Sequence, residues 1–526
     1  MAIANGYTTA PAYTLDLASS PDYNVKPLIT VGDEVPLLEG TGLDLKVSTD
    51  KKFAMPGIPD GMGYTLVGDK YYLFVTAELG DTAVSKFNST DAAQVKGARV
   101  SLFVFDKDWK VIGGKNLIDR AVDSSGTFKL DTTSGNYQNG AANFSFNRFC
   151  SAYLASSGFV GADGKTATPI FFTAEEGGDT SRGWAVTPDG TAQAIEGLGR
   201  YARENVMSAS QYRAGNPSKK TVLISTEDFA DGELYMYVGN QTAEDPNGLK
   251  NGDLYVMRVK DADYEGKLTT EGVPTSAAWT KVDKNAVYGA DGKPLATGIA
   301  LSDFANKGTN STNFQRIEDI AEDPSKPGSF YFTTTGTKKP AGKPLDPDVA
   351  TPDLAENPYG RMYRFSLNAQ DPTGEVKDFE LVLKGGPGKG VSYDNILVDK
   401  NGKILLQEDE TAFGGDVMKA EKRDGRIVSY NLQTKEVTFL QETDETLRGT
   451  LKDEGSGVWE SSGIIEVDPN AAPGQSSYLF TVQAHTIKDA KYVEGGQILL
   501  TTPITTESQT KSGSANADVV TANLNS

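Results

Sequence analysis

Short apolar runs of strand length recur along the whole chain, each closed by a turn signal, while long helical periodicity is scarce. Residues 71–75, 100–105, 169–173, 222–225, 254–257, 330–333, 404–407 and 478–482 are rich in β-branched and aromatic side chains. Asp189-Gly190, Asp231-Gly232, Asp291-Gly292 and Asn401-Gly402 stand among the 56 glycines and 24 prolines that punctuate such runs. Helical expectations are confined to two short stretches, around Ser208 to Tyr212 and Asp416 to Arg423. The spacing therefore predicts an all-β protein.

Several units share one order: a carboxylate pair, a turn, then paired apolar strands. Thr226-Glu227-Asp228 leads to residues 234–238, Arg316-Ile317-Glu318-Asp319 to 330–332, and Asp394-Asn395 to 405–409. Radial repetition of this kind predicts a β-propeller with loop and short helical insertions, six blades favoured, in which inner strands point residues into a central channel. A pair of β-sandwiches is the rival architecture. One propeller domain is expected over residues 25–507, with an N-terminal extension 1–24, an insertion near 338–359 and a polar C-terminal tail 508–526. The two ends read as strand augmentations, partner contacts or disordered segments.

The pairs Glu175-Glu176, Glu227-Asp228, Glu318-Asp319, Asp394-Asn395 and Glu408-Asp409 adjoin apolar strands rather than open turns. Strand alternation sends neighbours to opposite faces, so one carboxylate of each pair is expected to face the channel. Converging carboxylates need protons or hard cations such as calcium, which takes six to eight oxygen ligands. Arg148, Arg203 and Arg316 recur beside acidic or thiol residues. An arginine on the face of a metal-ligating carboxylate suits a phosphate clamp, with a structural ion pair as the bland alternative.

Net charge is -20, which disfavours nucleic acid and anionic membranes and favours divalent cations. No apolar run is long enough to span a membrane, and no export signal is visible at the start. The single cysteine, Cys150, has no internal disulfide partner, so it is either a small buried hydrophobe or a nucleophile, redox thiol or soft metal ligand. His485 is the only histidine, which removes histidine-rich metal sites and leaves a buried or capping role as its default reading. Nucleotide-loop, serine-elbow and EF-hand signatures are absent.

Ile58-Pro59-Asp60-Gly61, Arg148-Phe149-Cys150-Ser151, Thr173-Ala174-Glu175-Glu176, Arg203-Glu204-Asn205, Ser225-Thr226-Glu227-Asp228, Arg316-Ile317-Glu318-Asp319, Gln407-Glu408-Asp409, Glu460-Ser461-Ser462 and Val482-Gln483-Ala484-His485 occur in that order. In this series the chain resembles the PhoX-type alkaline phosphatases. The resemblance implies a propeller with a channel-mouth site that holds ferric iron (Fe3+) and calcium and hydrolyses a phosphate-ester substrate. It implies Cys150 as an iron ligand and Glu175, Glu204, Glu227, Glu318, Asp394 and Glu460 as acidic metal ligands. Arg316 and Arg148 would contact phosphate. Export to the periplasm, cell surface or exterior goes with it, as does possible surface association or self-assembly. The sequence departs from the family pattern at Thr76-Ala77, where relatives carry an Asn-His pair, and at Arg203, where they place histidine. Those departures leave two other expectations standing: a calcium-stabilised binding or structural propeller without catalysis, and a hydrolase of another ester.

Overall fold

The computed structural model describes residues 2–15, 23–90, 92–213, 215–337, 357–411, 414–443, 458–467 and 475–504. The C-terminal tail and most of the expected 338–359 insertion lie outside these residues.

The described strands form a six-bladed propeller. Its inner strands are Pro59–Val67, Phe149–Ala155, Arg203–Ser208, Ile317–Glu322, Tyr393–Val398 and Glu460–Val467, and each packs against the next until the last meets the first. From each inner strand the chain runs outward through antiparallel neighbours. In blade one these are Lys70–Ala77, Arg99–Phe105 and Val111–Asn116. Blade two extends to eight strands, and blades three and four merge into one nine-stranded sheet through Thr275–Lys281 and Val376–Lys384. The insertions are short: the α-helices Ile299–Ala305 and Gly414–Glu421 and a few 3-10 turns, one of them Ser210–Tyr212.

Closure of the ring uses both chain ends. Blade six takes its first three strands from residues 460–503 and its outermost strand, Tyr23–Thr30, from the N-terminal region. Thr14–Leu15 adds a further edge to blade five by pairing with Thr443 and Glu442. The expected N-terminal extension is thus partly a strand augmentation.

Why these residues make strands is clearest in the second position of each blade. Lys70–Ala77, Ile170–Glu175, Lys220–Glu227, Ser329–Thr334, Lys403–Glu408 and the first part of Ser477–Asp489 are buried almost throughout, because both faces pack against neighbouring blades. Aromatic side chains fill the layers between blades, as in the stack of Phe74 on Phe171 at 5.5 Å, and pair across strands within a blade, as in Tyr363 on Phe332 at 5.1 Å. Inner strands differ in that one face lines the channel and is polar.

Candidate metal centre and active site

Each inner strand opens at the same end of the channel, and its first residues carry the site. Asp60, Cys150, Glu204, Glu318 and Asp394 are each the second residue of an inner strand, and Glu460 is the first of the sixth. Register shifts place a bulge at these points in five blades, and between Ser462 and Ile464, just past Glu460, in the sixth: between Phe149 and Ala152, for instance, two residues oppose the single Ala174. A bulge re-aims side chains that alternation would send to opposite faces. It is preceded by a left-handed residue in four blades: Ile58 (φ 51), Arg148 (φ 52), Arg316 (φ 61) and Ser392 (φ 47). Such conformations cost about 1–3 kcal/mol each in non-glycine residues, so the strain is concentrated around this ring. Gly61 and Gly463 fill the crowded bulge positions, where a Cβ would meet Ala152 N at 2.4 Å and Asp60 O at 2.1 Å.

A belt of hydrogen bonds links the bulges. Thr76 Oγ1 donates to Cys150 O (2.8 Å), Thr333 Oγ1 to Asp394 O (2.6 Å), Gln407 Nε2 to Ser462 O (3.0 Å) and Thr481 Oγ1 to Asp60 O (3.5 Å). In each case a second-strand side chain satisfies a carbonyl on the next blade. Thr76 is therefore one of a repeated set. With Ala77 also buried, the departure at 76–77 falls in the wall behind the cavity. Arg203 is likewise buried behind Glu204, stacked on the Tyr201 ring at 3.7 Å and donating to Ser225 Oγ at 2.9 Å.

The cavity at this end measures about 190 Å³. Nine carboxylates line it: Glu78, Glu176, Glu204, Asp228, Glu318, Asp394, Asp409, Glu410 and Glu460. Arg148, Arg316, Cys150, Thr411, Gln483 and His485 complete the wall. Of the expected ligands, Cys150, Glu204, Glu318, Asp394 and Glu460 converge here with both arginines. Glu175 and Glu227 do not line the cavity; their sequence neighbours Glu176 and Asp228 do. Glu175 turns outward to accept from Trp184 Nε1 (3.2 Å) and Asn147 N (3.1 Å). Glu227 is buried against Glu233, whose backbone N–H it accepts at 3.2 Å. Glu408 is taken by Arg423 at 2.6 Å, leaving Asp409 to the cavity.

Both arginines are gripped by acids. Arg316 forks onto Asp228 (2.9 and 3.0 Å), ion-pairs Glu318 at 2.9 Å and donates to Thr411 Oγ1 at 2.6 Å. Arg148 donates through Nε to Glu78 at 3.0 Å and pairs with Glu176 at 3.2 Å. His485 sits between Glu494 (2.7 Å) and Glu460 (3.9 Å). Burial works against its charge, but the carboxylates of Glu460 and Glu494 outweigh it and push the pKa to about 11. Gln483 Nε2 donates to Glu78 at 3.1 Å and brings an amide to the wall.

Metal-binding capacity follows from the donor set. Asp60, Cys150 and Glu204 have ligand atoms within 4.8 Å of one another, as do Glu78, Cys150 and Glu176, and also Glu204, Glu318 and Asp394. Glu204 Oε2 and Asp394 Oδ1 are buried without a hydrogen-bond partner, an expensive state for a carboxylate oxygen unless a cation completes it. Burial, then the Glu78 charge, raises Asp60 to about 7; burial, then Asp60, raises Glu204 to about 8. Glu318 and Asp394 are pushed well above the carboxylate range by burial first, then by the charge of Asp228 on Glu318 and of Glu318 on Asp394. Burial and Asp60 also push the Cys150 thiol up, and its Sγ–H donates to Asp60 at 2.9 Å. Without cations this end is a store of protons; with them it is a hard-oxygen cradle holding one soft thiolate.

Asp409 is the channel-facing member of the Glu408-Asp409 pair, Asp60, Glu78 and Gln483 join the site without standing among the expected ligands, and His485, expected to be buried or capping, lines the wall. Asp60 had a signal, since it occupies the position that Cys150, Glu204, Glu318 and Asp394 hold in their own blades. Glu78, just after Thr76-Ala77, and Gln483, within Val482-Gln483-Ala484-His485, stand in segments singled out from sequence, but loop and second-strand positions reach the cavity only after the ring closes.

Comparison with known proteins adds identity to this geometry. The family model described as alkaline phosphatase PhoX matches residues 184–464. That range holds Glu204, Asp228, Arg316, Glu318, Asp394, Asp409 and Glu460, whereas Asp60 and Cys150 precede it. No curated protein matches the chain. Among solved structures, PhoX of Pseudomonas fluorescens in complex with vanadate, a transition state analogue, aligns with a TM-score of 0.53 at 15% identity, covering 93% of this chain and 97% of its own. The Trypanosoma rangeli sialidase aligns at 0.35 with 8% identity over 94% of this chain and 62% of its own, too distant to bear on either fold or function.

Proposed function

From the alkaline phosphatase PhoX family, to which this chain belongs, we propose that the cavity hydrolyses phosphate esters at a centre of ferric iron and calcium. The observation that carries this reading is the imbalance of the wall: nine carboxylates face two arginines and one histidine, with buried oxygens of Glu204 and Asp394 left unpartnered. Cys150, with Asp60 and Glu204 or with Glu78 and Glu176, supplies the one soft donor and suits iron. Glu204, Glu318 and Asp394 offer oxygen alone and suit calcium. Bound there, the cations would polarise phosphoryl oxygens as Lewis acids.

The chain's own groups then have separable tasks. Arg316, oriented by Asp228, Glu318 and Thr411, keeps a remaining Nη1–H and its positive charge for a non-bridging phosphate oxygen, and Arg148 approaches from blade two. Asp228, Glu78 and Glu176 orient these guanidinium groups. Gln483 Nε2 donates to Glu78 and Ser462 Oγ and so holds Glu78 beside Arg148, and the hydrogen-bond belt holds the bulges at fixed spacing. Export to the periplasm or exterior fits the family and a calcium-dependent site.

The test is turnover of a simple phosphomonoester by purified protein after chelation and after restoring calcium with ferric iron. Activity that vanishes on chelation and returns with the cations is expected. Absence of turnover under every cation combination, in folded protein, would leave the binding-propeller reading in its place.

A further inference from the structure

A cavity of about 190 Å³ is smaller than the 300–1,000 Å³ of sites that enclose a whole organic ligand. It accommodates the phosphoryl end of an ester together with cations, so the alcohol portion of the substrate has to lie at the lip. One side chain beside the cavity wall in sequence is out of place on a strongly acidic protein. Phe229, next to the wall residue Asp228, is 56% exposed, and among the described residues it is the one phenylalanine or tryptophan left open to solvent.

Its backbone is fixed to the site. Asp228 N donates to Ala202 O at 3.1 Å, Phe229 N to Glu227 O at 3.0 Å and Gly232 N to Phe229 O at 3.0 Å. The Phe229 carbonyl also accepts from Arg316 N at 2.9 Å, so the ring-bearing residue is bonded directly to the arginine that faces the phosphate. An exposed aromatic on a tight, doubly tethered turn loses little entropy when a ligand covers it, and covering its face removes apolar surface from water. A flexible surface phenylalanine would offer neither advantage.

We propose that Phe229 is a specificity residue that packs against the organic group of the ester and favours aromatic or extended apolar alcohols over small polar ones. This rests on the phosphate-ester reading of the cavity. The experiment is calorimetric binding of phenylphosphonate and methylphosphonate, both non-hydrolysable, to the metal-loaded wild type, Phe229→Ala, Phe229→Tyr and the control Val273→Ala. Val273 is an equally exposed apolar residue, 57% open, on a turn before the outer strand of blade three.

The expected result is a phenyl-to-methyl affinity ratio that falls about tenfold in Phe229→Ala and is retained in Phe229→Tyr and Val273→Ala. A ratio unchanged in Phe229→Ala overturns the inference, as does wild type that prefers methylphosphonate. Phosphomonoester turnover is measured on the same preparations. Wild type that binds both phosphonates but hydrolyses no ester contradicts the catalytic reading while the ratio still decides the role of Phe229.

Discussion

Cys150 and Asp60 show how much one position can depend on its neighbours. Asp60 accepts from the Cys150 thiol at 2.9 Å and from Ser462 Oγ at 2.6 Å, so the thiol is aimed by a carboxylate that is itself held. Replacing Asp60 by Asn removes the carboxylate that aims the Cys150 sulfur and shares its ligand group with Glu204, and is expected to lower metal affinity ten- to a hundredfold, measured by competition with a chelator. Arg316→Lys keeps the charge but loses the fork onto Asp228, and inorganic phosphate inhibition is expected to weaken about tenfold. The pKa shifts give a pH test on metal-free protein. Asp60 and Glu204 have folded values near 7 and 8, above their ordinary ones. The folded state therefore binds more protons between about pH 4 and pH 8, and stability is lost as pH rises through that window. Thermal unfolding of the metal-free chain should show this fall, and added calcium should raise Tm more at pH 8 than at pH 5.

At the scale of the element, the recurring unit is a bulge with a cross-blade hydrogen bond. Thr76→Val removes the donor to Cys150 O and leaves that buried carbonyl without it, at a cost of about 1–3 kcal/mol. Denaturant unfolding should show that loss, with iron retention falling alongside it because Cys150 shares the bulge. This unit also explains what could be read from sequence. The apolar runs picked out by composition include the second strand of every blade, buried on both faces. Inner strands such as Glu460–Val467, which reads Glu-Ser-Ser-Gly, present a polar face to the channel, and their signal is faint. Simple alternation correctly implied that one member of Glu175-Glu176 and Glu227-Asp228 faces the channel, but it could not say which. That choice is made where the strand ends: Glu175 still pairs within the sheet opposite Phe149, and Glu176 lies just beyond it. Helix Ile299–Ala305, seven residues without a capping side chain, had no sequence signature to find.

Over the whole molecule, two forces oppose each other: a closed ring that brings six inner strands together, and a net charge of -20 with acids gathered on its axis. Ring closure depends on Tyr23–Thr30 as the outer strand of blade six, with Leu28 and Ile29 fully buried. Deleting residues 1–30 is expected to abolish a single cooperative unfolding transition, visible by calorimetry. Cations that bind only the folded ring should stabilise it by mass action, so a chelator should lower Tm far more than the same ionic strength of sodium chloride. The propeller and its acidic channel were legible in the recurrence of turns and carboxylate pairs, because both are repeated once per blade. The exposed Phe229 and the histidine at the wall were not, since each occurs once. The most direct measurement is elemental analysis of iron and calcium per chain in wild type and Cys150→Ala. The account predicts iron near or above one per chain in wild type, its loss in Cys150→Ala, and calcium retained in both. Calcium without iron in both proteins would contradict the thiolate-held iron centre.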